Sequence, residues 1–360
     1  MAIRRIIIIL IFCVFTGSVY SQTLGEFKPK DTAHGLGKLK RSDGASRIYI
    51  AGFDVNFQVY NEKQDYRQGG SMLGGGVRGE ALAEVTVGLE GLDEMTVQQI
   101  TDQLYDDYIK RLKAKGLTII TADEAAKTKS YEDFMRMKGG KISTAEIPGV
   151  MTCTPTGYEY FVRKLDKDGK EKKGGFLGSQ SFMYPKLSSE LGDAIIGTVD
   201  LTVLFISEQD GFKGNGAKVK VKTSLRLIGT EAVTMTSDAK IKMKGQNSVT
   251  TVVSDVSFYH GKMGAGATSF YNGTMSKPLM INGVIEDQKI TSFARGGTDA
   301  GTATLYGTFY SVRNDKNSNA KIISVDPAKY KEGVYSAAEK FLSHHVEKFL
   351  TSFSLASKSI

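Results

Sequence analysis

Residues of the types that perform catalysis are present in this chain, but their spacing does not form a recognised catalytic pattern. Residues 74–79 read GGGVRG and match the G-x-G-x-x-G fingerprint of dinucleotide-binding loops. That fingerprint comes directly after a strand and opens a helix, whereas this run follows a polar loop and leads into a strand-like pattern. A hairpin loop is therefore the better interpretation. The sequence contains neither a phosphate-binding G-x-x-x-x-G-K-[ST] motif nor a G-x-S-x-G nucleophile elbow.

The histidines and the cysteine that follow the amino-terminal segment are His34, His260, His344, His345 and Cys153. His344 and His345 are neighbours on a predicted helix, so their side chains point about 100° apart and cannot share an ion by themselves. His345 falls on the apolar stripe of that helix, which favours a core or helix-end position. Cys153 needs a distant histidine to act as a nucleophile, so a lone buried or loop thiol is favoured. The sequence therefore predicts no catalytic residue, no cofactor and no metal site.

The most informative surface pattern lies in two alternating runs within residues 218–244. One face of the runs is apolar, and the other carries the candidate binding residues Lys218, Lys220, Lys222, Arg226, Lys240, Lys242 and Lys244. A break at residues 229–231 predicts an amphipathic hairpin, with Lys220 opposite Lys240 and Lys218 opposite Lys242. Three interpretations stay open: lysines that keep the wet face of a sheet hydrated, a surface for anionic lipid or acidic glycan, and a hairpin that inserts into a membrane.

Apolar periodicity indicates the elements that position these residues. Residues 47–60 and 81–90 alternate apolar and polar positions, which predicts two strands. A helix is predicted to follow from residue 95 to Gly116, because five apolar residues recur at three- and four-residue spacing: Val97, Ile100, Leu104, Tyr108 and Leu112. The LTII run at 117–120 then returns as a strand, and residues 122–140 predict a second, less regular helix closed by two glycines.

Alternating runs dominate the chain after residue 148, and the sequence ends in an amphipathic helix. The predicted fold class is α+β, with a mixed and antiparallel β-sheet body flanked by helices, which we expect on one face. We predict a single domain over residues 46–360. Its parts are a β-α-β module at 46–140, a β-rich part at 141–326 and a C-terminal helix at 327–353.

The first 21 residues have the features of a secretory signal peptide. Arg4 and Arg5 form a basic region, residues 6–15 are apolar, and small residues precede a cleavage position after Ser21. The apolar run is too short to span a bilayer as a helix. Residues 22–45 are polar and aperiodic, which predicts an arm or linker. We expect a secreted or periplasmic protein, with association with the outer membrane as an open alternative.

Composition and charge agree with a globular exported chain. The sequence is 41% hydrophobic and 24% charged, with a net charge of +8, and its lysines are scattered among acidic residues. Scattered charge does not form the basic stripe of a nucleic-acid-binding protein, so nucleic acid is not an expected partner.

Three stretches carry a family resemblance. They are RIYIAGFDV, the helix that ends at Gly116 with its LTII strand, and ELGDAIIGTVDLTV followed by VKVKTSLRLIGTEA. In this order they resemble strands and a helix of the CsgG and TolB amino-terminal superfamily of envelope proteins, over roughly residues 46–245. The resemblance implies a mixed sheet flanked by helices in a periplasmic or outer-membrane-associated protein that works by assembly. The pore-forming member of that family is a lipoprotein, whereas Cys13 here lacks the small residue that precedes a lipoprotein cleavage site.

These observations lead us to expect an exported, non-catalytic cell-envelope protein with a binding or assembly role. Its expected partners are anionic lipid, glycan or other envelope proteins, and a homo-oligomer is an open alternative. Two other functions stay open: an exported hydrolase with a site assembled from the β-rich part, and an oligomeric CsgG-like pore component of the outer membrane.

Export gives the first testable prediction. Because a basic region and a short apolar core precede Ser21, we expect the mature protein to begin at or near Gln22. Amino-terminal sequencing of the protein recovered from the cell envelope checks this. Recovery of a chain that begins at Met1 would show that the segment is retained.

Overall fold

The computed structural model describes residues 23–36, 45–67, 70–71, 77–78, 81–143, 147, 149–163, 180–209, 217–236, 247–293 and 320–356. The predicted signal peptide lies outside the described residues, as do Lys240, Lys242 and Lys244. No helix among the described residues is both long and apolar enough to cross a bilayer.

The described elements alternate between many strands and a few helices, as the α+β prediction requires. The strands are β1 (Thr23–Leu24), β2 (Pro29–His34), β3 (Arg47–Gln58), β4 (Tyr60–Arg67), β5 (Gly70–Ser71), β6 (Val77–Arg78), β7 (Ala81–Glu90), β8 (Thr118–Ile119), β9 (Phe134–Lys138), β10 (Val150–Cys153), β11 (Glu159–Arg163), β12 (Ile195–Glu208), β13 (Lys218–Leu227), β14 (Thr230–Thr236), β15 (Asn247–Val253), β16 (Asp255–His260), β17 (Ser269–Met275), β18 (Leu279–Asn282), β19 (Lys289–Phe293) and β20 (Lys321–Ser324). The helices are α1 (Glu94–Ala114), α2 (Ala122–Ala125), α3 (Gln180–Glu190) and α4 (Pro327–Ala356), with one turn of 3-10 helix at Lys129–Tyr131.

A mixed sheet of eleven strands forms the body, and its centre is the parallel pair β3 and β12. Ile48 pairs with Ile195 at one end, and Phe57 pairs with Val203 at the other. Antiparallel strands extend the sheet from β12 through β16, β17 and β2, and through β13, β18, β1 and β19. On its outer edge, β3 pairs in parallel with β8 and antiparallel with β10. The predicted fold class, a mixed and antiparallel sheet flanked by helices, is confirmed.

Helix α1 lies on one face of this sheet and buries the predicted stripe. Its first turn is capped by Asp93, whose Oδ1 accepts a hydrogen bond from Thr96 N at 2.7 Å. Gly116 ends the helix with a φ of +83°, a conformation that glycine adopts without strain. The predicted stripe is fully confirmed as buried: Val97, Ile100, Leu104, Tyr108 and Leu112. The Tyr108 hydroxyl lies so close to Gly197 of β12 that a Cβ there would approach it to 3.1 Å.

Helix α4 packs beside α1 and covers the same face of the sheet, as its predicted amphipathic pattern required. The two helices are joined by an ion pair between Arg111 and Glu339 at 2.6 Å and by the Tyr335 hydroxyl, which donates to Asp107 at 2.8 Å. The opposite face is covered as well, because Leu187 of α3 joins a second buried cluster with Tyr49. The expectation that helices occupy a single face was therefore wrong. Successive residues of a strand point to opposite faces, and both faces of β3 and β12 carry apolar residues that need cover.

The helix predicted over residues 122–140 was also wrong. Only the four residues of α2 and the 3-10 turn are helical, and Phe134–Lys138 forms β9. Strand β9 pairs antiparallel with β11, with Phe134 opposite Arg163, and Gly139 N donates to Tyr158 O at 2.7 Å where the two strands meet. The tertiary context decides whether a short segment without a clear periodicity forms a helix or a strand. Here β11 supplies the backbone hydrogen bonds that make residues 134–138 a strand.

The predicted hairpin within residues 218–244 is contradicted by the strand pairing. Strand β13 pairs with β12, β18 and β19, whereas β14 pairs with β15 in a separate two-stranded ribbon. Lys220 consequently lies opposite Thr291, and Lys218 lies opposite Phe293. Both edges of β13 are occupied by sheet partners, so no edge is left for the strand that follows it in the chain.

His345 holds α4 on the sheet through two hydrogen bonds. Its Nε2 lies 3.0 Å from Thr274 O, and its Nδ1 lies 2.8 Å from the Tyr271 hydroxyl. A carbonyl oxygen only accepts, so Nε2 carries the proton and Nδ1 accepts from Tyr271. The ring rests on Gly273, where any side chain would collide with it. The predicted core position of His345 is confirmed, since the side chain is fully buried.

The buried imidazole gives a prediction for stability against pH. Burial, reinforced by neighbouring His344, lowers the pKa of His345 to about 4. The unfolded chain binds a proton at this residue below about pH 6.5, while the folded protein resists protonation until about pH 4. The free energy of unfolding should therefore fall as the pH is lowered through this window, by about 3 kcal/mol from this residue. Urea titrations between pH 7 and pH 4.5 measure it.

The matched variants are His345→Gln, which cannot titrate, and His34→Gln, which changes an exposed histidine. Asp31, His344 and Lys348 surround the imidazole and stay in place in both variants. We expect His345→Gln to flatten the pH dependence and His34→Gln to retain it. Equal slopes for the two variants would contradict the assignment to His345.

Candidate functional site

A cleft of about 620 Å³ opens where the outer edge of β3 is not paired by a described strand. Strand β8 pairs with β3 at Arg47 and Ile48, and β10 pairs with it only from Val55 onward. The gap between them is bordered by α1, by the segment around β8 and by the loop before β11. We call this site the tyrosine cleft, and its lining residues are Tyr49, Ile50, Tyr105, Lys113, residues 117–122 and residues 157–159.

Helix α1 fixes the loop that forms one wall of the cleft. Asp102 accepts hydrogen bonds from Thr156 N at 2.7 Å and from Thr156 Oγ1 at 2.9 Å. One turn earlier, Gln98 donates to Thr154 O at 3.0 Å and to Asp102 at 2.8 Å. Residues four apart on a helix lie on the same face, so both side chains reach the loop together. The loop therefore enters β11 from a fixed position, which sets the place of Tyr158.

Tyr158 lies at the gap in the edge of β3 and is the centre of a row of three aromatic rings, which we call the aromatic row: Tyr105, Tyr158 and Tyr160. Its hydroxyl donates to Ile50 O at 3.0 Å and so satisfies a carbonyl on the open edge of β3. Its ring centroid lies 5.4 Å from that of Tyr105 and 5.9 Å from that of Tyr160, with the second pair stacked at 10°. Tyr105 also meets Phe53 edge to face at 5.2 Å. These separations are those of favourable aromatic pairs, so the row is held rigidly.

The tyrosines of the cleft are neutral hydrogen-bonding groups near pH 7. Burial raises the pKa of Tyr105 to about 12 and also raises the pKa values of Tyr49 and Tyr158. Tyr49 is 2% exposed, and its ring meets that of Tyr131 edge to face at 6.1 Å in the buried cluster under α3.

Two charged side chains of opposite sign border the cleft. Lys113 is exposed on the last turn of α1, and Glu159 begins β11. Arg136 of β9 pairs with Glu159 and also with Asp123 of α2, the latter at 2.5 Å. Since Asp123 follows one wall of the cleft and Glu159 belongs to the other, Arg136 bridges the two walls at the surface.

The predicted basic residues are only partly brought together. Lys218, Lys220 and Lys222 share one face of β13, whereas Arg226 is 3% exposed and therefore not a surface residue. Its guanidinium pairs with Glu231 and donates to Ile206 O at 2.8 Å. Including Arg226 in a surface for anions was wrong, because its charge is already used inside the protein.

The lysines of β13 adjoin an exposed aromatic ring. Lys218 Nζ lies 4.7 Å from the ring centroid of Phe293, which is 52% exposed at the end of β19. Lys222 pairs with Asp287 at 2.6 Å. Lys289 lies opposite Lys222 in the strand register. We call this surface the basic patch, defined by Lys218, Lys220, Lys222, Lys289 and Phe293.

The side chains of Cys153 and His344 are engaged in packing and hydrogen-bonding contacts within the protein. Cys153 is buried, its Sγ donates to Gln98 Oε1 at 3.2 Å, and burial raises the pKa of the thiol to about 11. A thiol with that pKa is neutral near pH 7 and a poor nucleophile. His344 meets Phe27 edge to face at 5.4 Å. In the described ranges of the chain, no three histidine, cysteine, aspartate or glutamate residues are grouped to hold a metal ion.

Comparisons with models of protein families, with curated proteins and with solved structures returned no match. The resemblance to the CsgG and TolB superfamily therefore stays a prediction. Sequence reasoning missed the tyrosine cleft, because Tyr105 and Tyr158 are distant in the chain. The one available signal was YEYF at 158–161, in which two tyrosines alternate along a predicted strand.

Proposed function

We propose that this chain is an exported, non-catalytic protein of the cell envelope that binds a ligand in the tyrosine cleft. The observation that carries the proposal is the cleft itself, a concave site lined by three tyrosines at the open edge of a buried sheet. Ligand sites are typically concave and mostly apolar, with a few polar groups in fixed positions. The export part rests on the amino-terminal sequence pattern.

The side chains around the cleft favour binding over chemistry. Glu159 is held in an ion pair with Arg136, and the phenols of Tyr105 and Tyr158 are neutral because burial raises their pKa. A general acid or base works best with a pKa near the operating pH, and these phenols are far from it. Rigid aromatic rings with hydroxyl groups are instead well suited to hold a ligand at low cost in conformational entropy.

The positions of the resembling stretches in the sheet support the resemblance, which implies an assembly role. The three resembling stretches fall on β3, on α1 with β8, and on β12 with β13. These strands are direct neighbours, since β3 pairs with β8 and β12, and β12 pairs with β13. This arrangement supports a common scaffold, and the tyrosine cleft lies at the outer edge of its strand β3.

Binding at the cleft is tested by hydrogen exchange of the mature protein with and without solubilised envelope extract. We expect slower exchange of backbone amides at residues 117–122 and 157–159, because a ligand would cover them. Tyr105→Leu should weaken the apparent affinity about tenfold, which corresponds to ~1.4 kcal/mol. The matched control is Tyr335→Leu on α4, outside the cleft. An extract that protects neither segment, or protects them equally in Tyr105→Leu, would contradict the proposal.

The basic patch supports a second candidate function, which is association with an anionic membrane surface. The specific observation is an exposed phenylalanine under a lysine, since Lys218 lies over the Phe293 ring. An aromatic ring can enter the headgroup region while neighbouring lysines meet lipid phosphates. Among the described residues, Lys218, Lys220, Lys222 and Lys289 supply the positive charge of the patch.

Vesicle sedimentation tests this second function. We expect binding to vesicles that contain phosphatidylglycerol and weaker binding as salt is raised, because exposed charges are screened beyond ~8 Å at physiological ionic strength. The double variant Lys218→Gln, Lys220→Gln should reduce binding about thirtyfold, at roughly 1 kcal/mol for each lysine. Lys110→Gln together with Lys331→Gln is the control of equal charge. Equal binding by both double variants would show that the patch is not the membrane contact.

A further inference from the structure

We infer that the ligand of the tyrosine cleft is a neutral saccharide longer than one ring. This inference rests on the proposed binding role and adds the chemical class of the ligand. It follows from the charge balance of the cleft, from the geometry of its aromatic row and from the state of the neighbouring sheet edge.

The charge balance favours an uncharged ligand. The charged side chains that line the cleft are Lys113 and Glu159, one of each sign. An anionic ligand would meet the carboxylate of Glu159, and a cationic ligand would meet the ammonium of Lys113. Arg136 pairs with Glu159 and with Asp123, so these three side chains and Lys113 together carry no net formal charge. An uncharged ligand with many hydroxyl groups meets no repulsion and can hydrogen-bond to both side chains.

The aromatic row favours a ring-shaped ligand with an apolar face. Pyranose rings present C–H bonds on one face and hydroxyl groups around the edge. Tyr105 and Tyr158 line the cleft with aromatic residues, while Thr121, Lys113 and Glu159 line it with polar and charged residues. Stacking on an aromatic ring together with edge hydrogen bonds therefore matches both parts of such a ring.

The row also continues beyond the cleft, which indicates a ligand of more than one ring. Tyr160 stacks on Tyr158 with an interplanar angle of 10° and lies outside the lining of the cleft. Met137 lies opposite Tyr160 on the β9–β11 ribbon and is 37% exposed. A chain of sugar rings that starts in the cleft would find a second apolar surface along this ribbon.

The sheet edge disfavours the main alternative, an extended peptide. A peptide strand binds by pairing with a row of free backbone groups on an exposed edge. Here Ile50 O already accepts from the Tyr158 hydroxyl, and β8 is only two residues long. A peptide strand would need the Ile50 carbonyl and a longer run of free edge, whereas a saccharide needs neither.

The experiment compares three classes of probe by titration calorimetry and by hydrogen exchange at residues 117–122. A panel of maltotetraose, cellotetraose and chitotetraose represents neutral saccharides, a hyaluronan tetrasaccharide represents acidic ones, and an alternating threonine–valine hexapeptide represents strands. We expect at least one neutral tetrasaccharide to protect the segment, with an affinity that salt does not change. Tyr105→Leu keeps an apolar contact with Phe53 but loses the flat ring, and should weaken binding about tenfold. Tyr335→Leu should leave binding unchanged.

A second pair of variants keeps the test decisive if Tyr105→Leu does not fold. Lys113→Gln removes a hydrogen-bonding cation from the cleft and should weaken saccharide binding about threefold. Lys110→Gln on the same helix removes an exposed lysine that contacts Asp107 instead, and should have no effect.

The outcomes separate the ligand class from the binding role. Protection by the peptide or only by the acidic saccharide would overturn the inference. Protection by envelope extract without protection by any neutral saccharide would overturn it as well, while the proposed binding role would stand. If neither extract nor any probe protects the segment, both the inference and the proposed function fail.

Discussion

Parallel pairing of β3 with β12 requires both strands to be covered on two faces, and the rest of the architecture follows from that requirement. Ile48 and Ile195 point to the face under α1 and α4, while Tyr49 and Ile196 point to the face under α3. Parallel strands need a connection that leaves the sheet and returns, and such connections bring covering elements with them. The buried glutamine Gln58 completes the pair, because its Oε1 accepts from both Phe205 N and Ile206 N at 3.1 Å where β12 bulges.

The cleft exists because the outer edge of β3 is paired by two separate short strands. Strand β8 and strand β10 approach from different parts of the chain and leave an interval in which Ile50 meets only the Tyr158 hydroxyl among its described edge contacts. Helix α1 has two roles at this interval. Its buried stripe fixes the helix on the sheet, and its Gln98, Asp102 and Tyr105 hold the loop and ring that form the walls. Scaffold and site therefore share the same element.

The charge of Arg226 is held inside the protein by its polar contacts and is therefore not part of the surface of β13. Its guanidinium donates to Ile206 O and pairs with Glu231, so it joins the bulge of β12 to the start of β14. Loss of one partner from a buried pair typically costs about 3–5 kcal/mol. Strand β13 therefore carries two kinds of positive charge. Arg226 is buried and fixes the start of β14, whereas the lysines lie at the surface.

The sequence by itself determined the elements whose pattern is local. Strand β3, helix α1 with its cap and terminal Gly116, and the stripe of α4 with His345 all follow from periodicity within one segment. The tertiary structure decided the state of residues 122–140, the partners of β13 and the burial of Arg226. It also brought Tyr105 to Tyr158 and so made the cleft. Apolar periodicity depends only on residues that are close in the sequence. Strand pairing depends on every strand edge in the protein, so the sequence of one segment does not show which edges are already paired.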